Sequence, residues 1–172
     1  MDLRQELLKE HSKAQAQRIA NYISDDSHLF GELMDLFLNE PYRINQRAAW
    51  IVSHCADTYP HLIQPHLKPI IENLQGPIHV AVKRNTVRVL QDIEIPDDLK
   101  GILAEKCFEF LTSNQEPVAV KVFSMTILAN MAKKLPDLKK ELSIIIEDQM
   151  PFASAGFISR GTKVLKQIKT WR

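Results

Sequence analysis

The residue types that could carry chemistry here are six histidines, two cysteines, and a tryptophan set among cations that gather in four segments free of acids. Each group can be held against the spacing its chemistry requires. His11, His28, His54, His61, His66 and His79 form no H-E-x-x-H pair, so no helix-borne zinc site is offered. His61 and His66 stand five apart, a spacing that turns them away from a common helix face. Cys55 and Cys107 make no zinc knuckle, and each sits in apolar helical text. They read as buried, reduced thiols of a cytoplasmic protein. His54-Cys55 sets a base beside a thiol, but adjacent helix residues point in different directions. The five glycines are scattered singly, with neither G-x-x-x-x-G-K-[ST] nor G-x-G-x-x-G to cradle phosphate. The expectation is a non-enzyme with no catalytic residues, no metal site and no cofactor.

The cations are arranged differently. Segments 41–55, 77–91, 117–134 and 151–172 contain no aspartate or glutamate. They hold Arg43, Arg47, Lys83, Arg84, Arg88, Lys121, Lys133, Lys134, Arg160, Lys163, Lys166, Lys169 and Arg172. An even scatter of the acids would place about eight of them in these segments. The net charge of +1 hides this asymmetry. Arg43, Arg47, Trp50 and His54 follow i, i+4, i+7, i+11 and so share a helix face, next to an apolar stripe of Ile44, Ala48, Ile51 and Cys55. Arg47, Arg84, Lys121 and Arg160 recur at intervals of 37, 37 and 39.

Two readings of these cations stand side by side. In one, stacked cations focus positive potential that attracts an acidic partner, with Trp50 as a flat anchor. In the other, the arginines pack between helices, Trp50 fills space, and Lys133 and Lys134 complement a helix C-terminus. The second does not account for the missing acids.

What must position these residues is a helical repeat. Pro41, Pro77, Pro117 and Pro151 each precede an amphipathic segment, at intervals of 36, 40 and 34. Pro60, Pro96 and Pro136 form an interleaved series at intervals of 36 and 40. Proline is favoured where a helix begins, because its missing N–H would be unsatisfied there anyway. Two interleaved series with a period of about 37 therefore predict repeating helix pairs. The apolar periodicity agrees, in Leu99, Ile102, Leu103, Cys107, Phe110 and Leu111, and again in Leu138, Leu142, Ile145, Ile146 and Met150. Pro65 and Pro69 should kink the Pro60 helix or delay its start. No segment alternates as a half-buried strand does, and few glycines disfavour a sandwich or barrel. With 172 residues, one all-α domain is expected. The charged start lacks the apolar stretch of a signal peptide, and no apolar run approaches the ~18 residues of a membrane span.

The segment Asn45-Gln46-Arg47-Ala48-Ala49-Trp50-Ile51-Val52 resembles the second helix of a HEAT repeat, where an arginine precedes small residues and an apolar run. Arg84-Asn85-Thr86-Val87-Arg88-Val89-Leu90 falls in the corresponding place. So does Val122-Phe123-Ser124-Met125-Thr126-Ile127-Leu128, without the arginine, and Ser159-Arg160-Gly161-Thr162-Lys163-Val164-Leu165 is a weaker copy. The resemblance, shared with armadillo-type folds, covers about residues 28–170, with 1–24 as an N-terminal capping helix. It implies an α-solenoid, or superhelix, of about four helix pairs. Helices 28–39, 61–75, 97–112 and 137–149 would be convex, and 41–55, 78–91, 117–134 and 152–170 concave.

On that implication the chain is a cytoplasmic interaction module without membrane contact. It would bind an acidic protein segment through Arg43, Arg47, Trp50, His54, Lys83, Arg84, Arg88, Lys121, Arg160 and Lys163. The alternative is a nucleic-acid binder, because the Arg47–Trp50 region is also similar to HEAT-like DNA glycosylases that remove alkylated bases. Such enzymes place an acid at the concave site. Here Asp57 and Asp92 are the nearest, expected just beyond helix ends, which leaves backbone binding without catalysis. The fumarase and adenylosuccinate lyase superfamily is also helical, but its serine-rich substrate loop is missing. Met150-Pro151-Phe152-Ala153-Ser154-Ala155-Gly156-Phe157 shares only a Met-Pro pair with it.

Overall fold

A computed structural model describes residues 1–171; Arg172, one of the cations named above, lies outside the described residues. Among the described residues ten α-helices follow in order: α1 Leu3–Lys9, α2 Lys13–Ile23, α3 Ser27–Asn39, α4 Tyr42–Thr58, α5 Leu67–Asn73, α6 Val80–Leu90, α7 Asp97–Thr112, α8 Val118–Ala132, α9 Pro136–Gln149 and α10 Ala155–Thr170. Short 3₁₀ turns cover Pro60–Leu62, Gln64–His66 and Met150–Phe152. No strand occurs among the described residues.

Prolines mark the helix starts. Pro41, Pro96 and Pro117 are the N-cap residues of α4, α7 and α8, and Pro136 is the first residue of α9. Their ring-fixed φ fits the approach to a helix, and no backbone hydrogen bond is lost. Pro60 opens one 3₁₀ turn and Pro65 is the second residue of another, which delays α5 until Leu67.

Residues 1–24, expected as one capping helix, are divided in two. The Asp2 carboxylate accepts from the Gln5 amide at 3.0 Å and starts α1. Glu10 is extended and ends it. Ser12 Oγ then accepts from the Gln15 amide at 3.1 Å and starts α2. Glu6 ties the two together: its buried carboxylate accepts from Lys9, from Arg18 and from Gln15 Nε2. The hydrogen bond from Lys9, followed by that from Gln15, holds the carboxyl down at about 2.

The chain forms two compact units, Met1–Val89 and Leu90–Arg172. In the first, α4 is the central helix and receives α3, α2 and α1. Ile44, Ala48, Ile51, Val52 and Cys55 of α4 are buried, as are Phe30, Leu33, Met34 and Phe37 of α3 and Ile19 and Ile23 of α2. In the second, α8 is central and packs against α7, α9 and α10. It is apolar nearly all round, as suits a helix packed against three others, with Val120, Met125, Ile127, Leu128, Ala129 and Met131 buried.

Where α10 meets α9, Gly161 is buried, and a Cβ there would lie 2.9 Å from Ile146 Cγ2. Gly101, on the exposed side of α7, has nothing within 4 Å of the equivalent position. The two glycines should therefore respond oppositely to the same substitution. Gly101→Ala should raise stability by about 0.5–1 kcal/mol through helix propensity alone. Gly161→Ala should lower it by about 1–3 kcal/mol, because overpacking outweighs the propensity gain. Urea unfolding followed by circular dichroism measures both, and a stabilising Gly161→Ala would contradict the described α9–α10 contact.

The Glu6 carboxyl has a folded value below its unfolded one. Its contribution to stability is therefore complete above about 4.5 and is lost as pH falls toward about 2. Hydrogen exchange of α1 and α2 amides should accelerate across that window, and Glu6→Gln should flatten the dependence.

Candidate functional site

The α4 residues expected on one face divide by depth. Arg43 is exposed, while Arg47, Trp50 and His54 are half-buried. Arg47 Nη1 donates to the Leu7 carbonyl at 2.5 Å, satisfying one of the last carbonyls of α1, which have no partner within their own helix. Trp50 lies between two histidines: His11 meets it edge-on at 5.5 Å, and His54 stacks at 6.2 Å. The Nε2 atom of His54 is buried without a hydrogen-bond partner. Trp50 thus fills the space beside the α1–α2 junction while keeping part of its surface in solvent.

On α6, Lys83, Arg84 and Arg88 are half-buried, and Lys83 and Arg88 are each engaged with a neighbour. Beneath them runs a polar link that sequence periodicity did not single out. Asn85 Nδ2 donates to Asn45 Oδ1 at 2.7 Å, and Asn45 Nδ2 donates to the Phe37 carbonyl. Both asparagines are buried, so each must be paired to be tolerated. This bond joins α4 to α6 at an offset of 40 residues, whereas the interval between Arg47 and Arg84 is 37. An asparagine next to the apolar stripe of each helix was the available signal. At the helix starts, exposed Tyr42 stacks on exposed His79 at 5.5 Å. His79 Nδ1 accepts from the Ala81 amide at 3.1 Å.

The second unit repeats this use of polar side chains. Arg160 Nη1 of α10 donates to Thr126 Oγ1 of α8 at 2.5 Å. Lys121 Nζ donates to Gln149 Oε1 at 3.4 Å, and Gln149 Nε2 donates to the Leu111 carbonyl at 3.0 Å. Lys163, with Lys166 and Lys169, is exposed on α10, which carries no acid. Lys133 lies 6.0 Å from the Trp171 ring, and Lys139 Nζ donates to the Trp171 carbonyl at 2.7 Å. An open cleft of about 400 Å³ has Ile95, Ile127 and Met131 among its lining residues, with Lys100, Lys133 and Lys134.

The cations of the acid-free segments therefore include two kinds. Arg47, Lys121 and Arg160 bridge helices, whereas Arg43, Lys163, Lys166 and Lys169 face solvent. One expectation about the acids is corrected. α4 runs to Thr58, so Asp57 lies inside its last turn and not beyond the helix end. The apolar face of α4 continues through Cys55 and Ala56, and that burial carries the helix past the expected boundary.

For chemistry, burial pushes both the Cys55 and Cys107 thiols up to about 12, so neither is a thiolate nucleophile near neutral pH. No group of three metal-ligating side chains comes together among the described residues. No helix among them is long and apolar enough to cross a membrane.

The sequence pattern of the HEAT repeat domain matches residues 3–168. The chain belongs to the HEAT repeat domain family. Its fold class is accordingly the all-α solenoid of stacked helix pairs. Two crystal structures of engineered proteins are similar to this HEAT domain. One has a TM-score of 0.63 at 19% identity, covering 98% of this chain and 80% of that one. The other has a TM-score of 0.60 at 17% identity, covering 98% and 78%. At these identities the likeness speaks for the fold. No curated protein matches the chain.

The two kinds of arginine can be separated by experiment. Arg47→Met should cost about 1.5–3 kcal/mol, because it removes a charged hydrogen bond and leaves the Leu7 carbonyl unpaired. Arg43→Met, on the exposed side, should stay within about 0.5 kcal/mol of the parent. Chemical denaturation of both variants provides the comparison, and a neutral Arg47→Met would return that side chain to the pool of partner-binding residues.

Proposed function

We propose that this HEAT domain is a non-catalytic, cytoplasmic interaction module that binds an acidic protein segment. Helical repeats of this kind stack to create surfaces suited to proteins. The observation that carries the reading is the acid-free helix α10 with Lys163, Lys166 and Lys169 exposed along it. Lys133 and Lys134 extend the positive charge to the end of α8, beside a cleft of mixed lining in which Ile95, Ile127 and Met131 lie with Asp92 and Glu94. In the first unit, Arg43 offers an exposed cation beside Tyr42. The bridging cations Arg47, Lys121 and Arg160 add to the local potential while their donors serve the fold.

Fluorescence anisotropy at several salt concentrations tests the proposal, using a labelled acidic peptide, duplex DNA and single-stranded RNA. The acidic peptide should bind, weaken as salt rises, and lose about tenfold or more in affinity with Lys163→Glu/Lys166→Glu. Tighter binding to a nucleic acid, with a salt slope of about −0.7 to −0.9 per phosphate neutralised, would assign the cations to phosphates instead. Absence of binding to all three would leave the lysines as solvating charge.

A further inference from the structure

Where α4 and α6 begin, two aromatic rings lie against each other outside the core. Tyr42, 53% exposed, stacks on exposed His79 with the ring centroids 5.5 Å apart and 20° between the planes. Both residues belong to the first unit. Two contacts hold the pair in place. The Asn85–Asn45 bond ties α6 to α4, and His79 Nδ1 accepts from the Ala81 amide at 3.1 Å, which fixes the imidazole against its own helix. Pro41 before the tyrosine and Val80 after the histidine are exposed as well, so apolar surface continues from the stack.

The polar groups of this patch offer protons. An Nδ1 that accepts a hydrogen bond carries no proton, so the N–H of His79 is at Nε2. Neither that N–H nor the Tyr42 hydroxyl has a partner among the described residues. Arg43 is exposed and makes no hydrogen bond or ion pair among them either. Nothing negative competes for these donors within segments 41–55 and 77–91, which contain no acid. Glu40, the acid next to them in sequence, is taken by Arg4 at 3.2 and 3.3 Å.

We propose that Tyr42 and His79 are a docking platform for an aromatic side chain flanked by carboxylates in a protein partner. The incoming ring extends the stack over Tyr42, His79 and Val80, and the carboxylates accept from His79 Nε2 and from Arg43. A nucleic acid fits less well. Among the exposed residues Pro41, Tyr42, Arg43, His79 and Val80 there is one cation, whereas a strand brings a charge with every nucleotide. The two rings also lie on each other rather than apart, as successive bases would need them. The inference rests on the acidic-segment reading above and adds the residue type that accompanies the acids.

NMR titration of the full chain tests it, with Asp-Asp-Phe-Asp-Asp at millimolar concentration and the same peptide carrying leucine in place of phenylalanine. The phenylalanine peptide should bind about threefold or more tighter and shift the ring signals of Tyr42 and His79. Tyr42→Ala and His79→Asn should each abolish that preference with an unchanged thermal melt, because asparagine keeps an acceptor for the Ala81 amide. Equal binding of the two peptides, or a preference that survives in either variant, would overturn the proposal. Lys163→Glu/Lys166→Glu separates this site from the lysines of α10. Ring shifts that persist in that double variant support the platform. Complete loss of binding in it overturns the platform and leaves the acidic-segment reading standing, whereas a parent that binds neither peptide overturns both.

Discussion

No helix pair in this chain can cover its own apolar side chains; a neighbouring helix has to do so. α8 is the extreme case, apolar nearly all round and enclosed by α7, α9 and α10. α4 plays the same part in the first unit. Enclosing a helix on several sides brings its polar residues into contact with other helices as well, where an unpaired donor or acceptor is costly. Asn45, Asn85, Arg47, Gln149 and Arg160 are the response, each reaching a carbonyl, an amide or a hydroxyl on another element. Apolar burial gives the stacking its strength, and these directional bonds give it a register.

That division explains what could be foreseen. Helix starts were legible because proline acts locally: Pro41, Pro96, Pro117 and Pro136 stand where helices begin, and Pro65 delays α5. The core was legible through apolar periodicity, and the family through the arginine-led segments around Arg47 and Arg84. The break between α1 and α2 had a local signal too, in Ser12-Lys13-Ala14-Gln15, a serine followed by glutamine three residues later. For the pairing of Asn45 with Asn85 the signal stopped at an asparagine beside each apolar stripe, since nothing within either helix specifies an offset of 40. The fates of Arg43 and Arg47 were equally hidden. They are one turn apart, yet one faces solvent and the other bonds to a helix nearly forty residues earlier.

The charge asymmetry takes on a different meaning once the structure is considered. Aspartate or glutamate at Arg47, Lys121 or Arg160 would replace a donor with an acceptor facing a carbonyl or a side-chain oxygen. Part of the exclusion of acids from these helices is thus a requirement of stacking. The remainder falls on exposed positions such as Lys163, Lys166 and Lys169, where packing imposes no preference of sign.

The proline-capped design also sets a clock. All nine prolines lie within the described residues, and every peptide bond in them is trans. In the unfolded chain each X-Pro bond samples cis at about 10–30%, so a majority of denatured molecules carry at least one wrong isomer. Because several of these bonds stand at the entrance to a helix, the wrong isomer misdirects the chain just where the next helix has to begin. Refolding from long-equilibrated denaturant is therefore divided into a fast population and a slow one that waits tens of seconds. A nascent chain leaves the ribosome with its prolines still trans and largely avoids that wait.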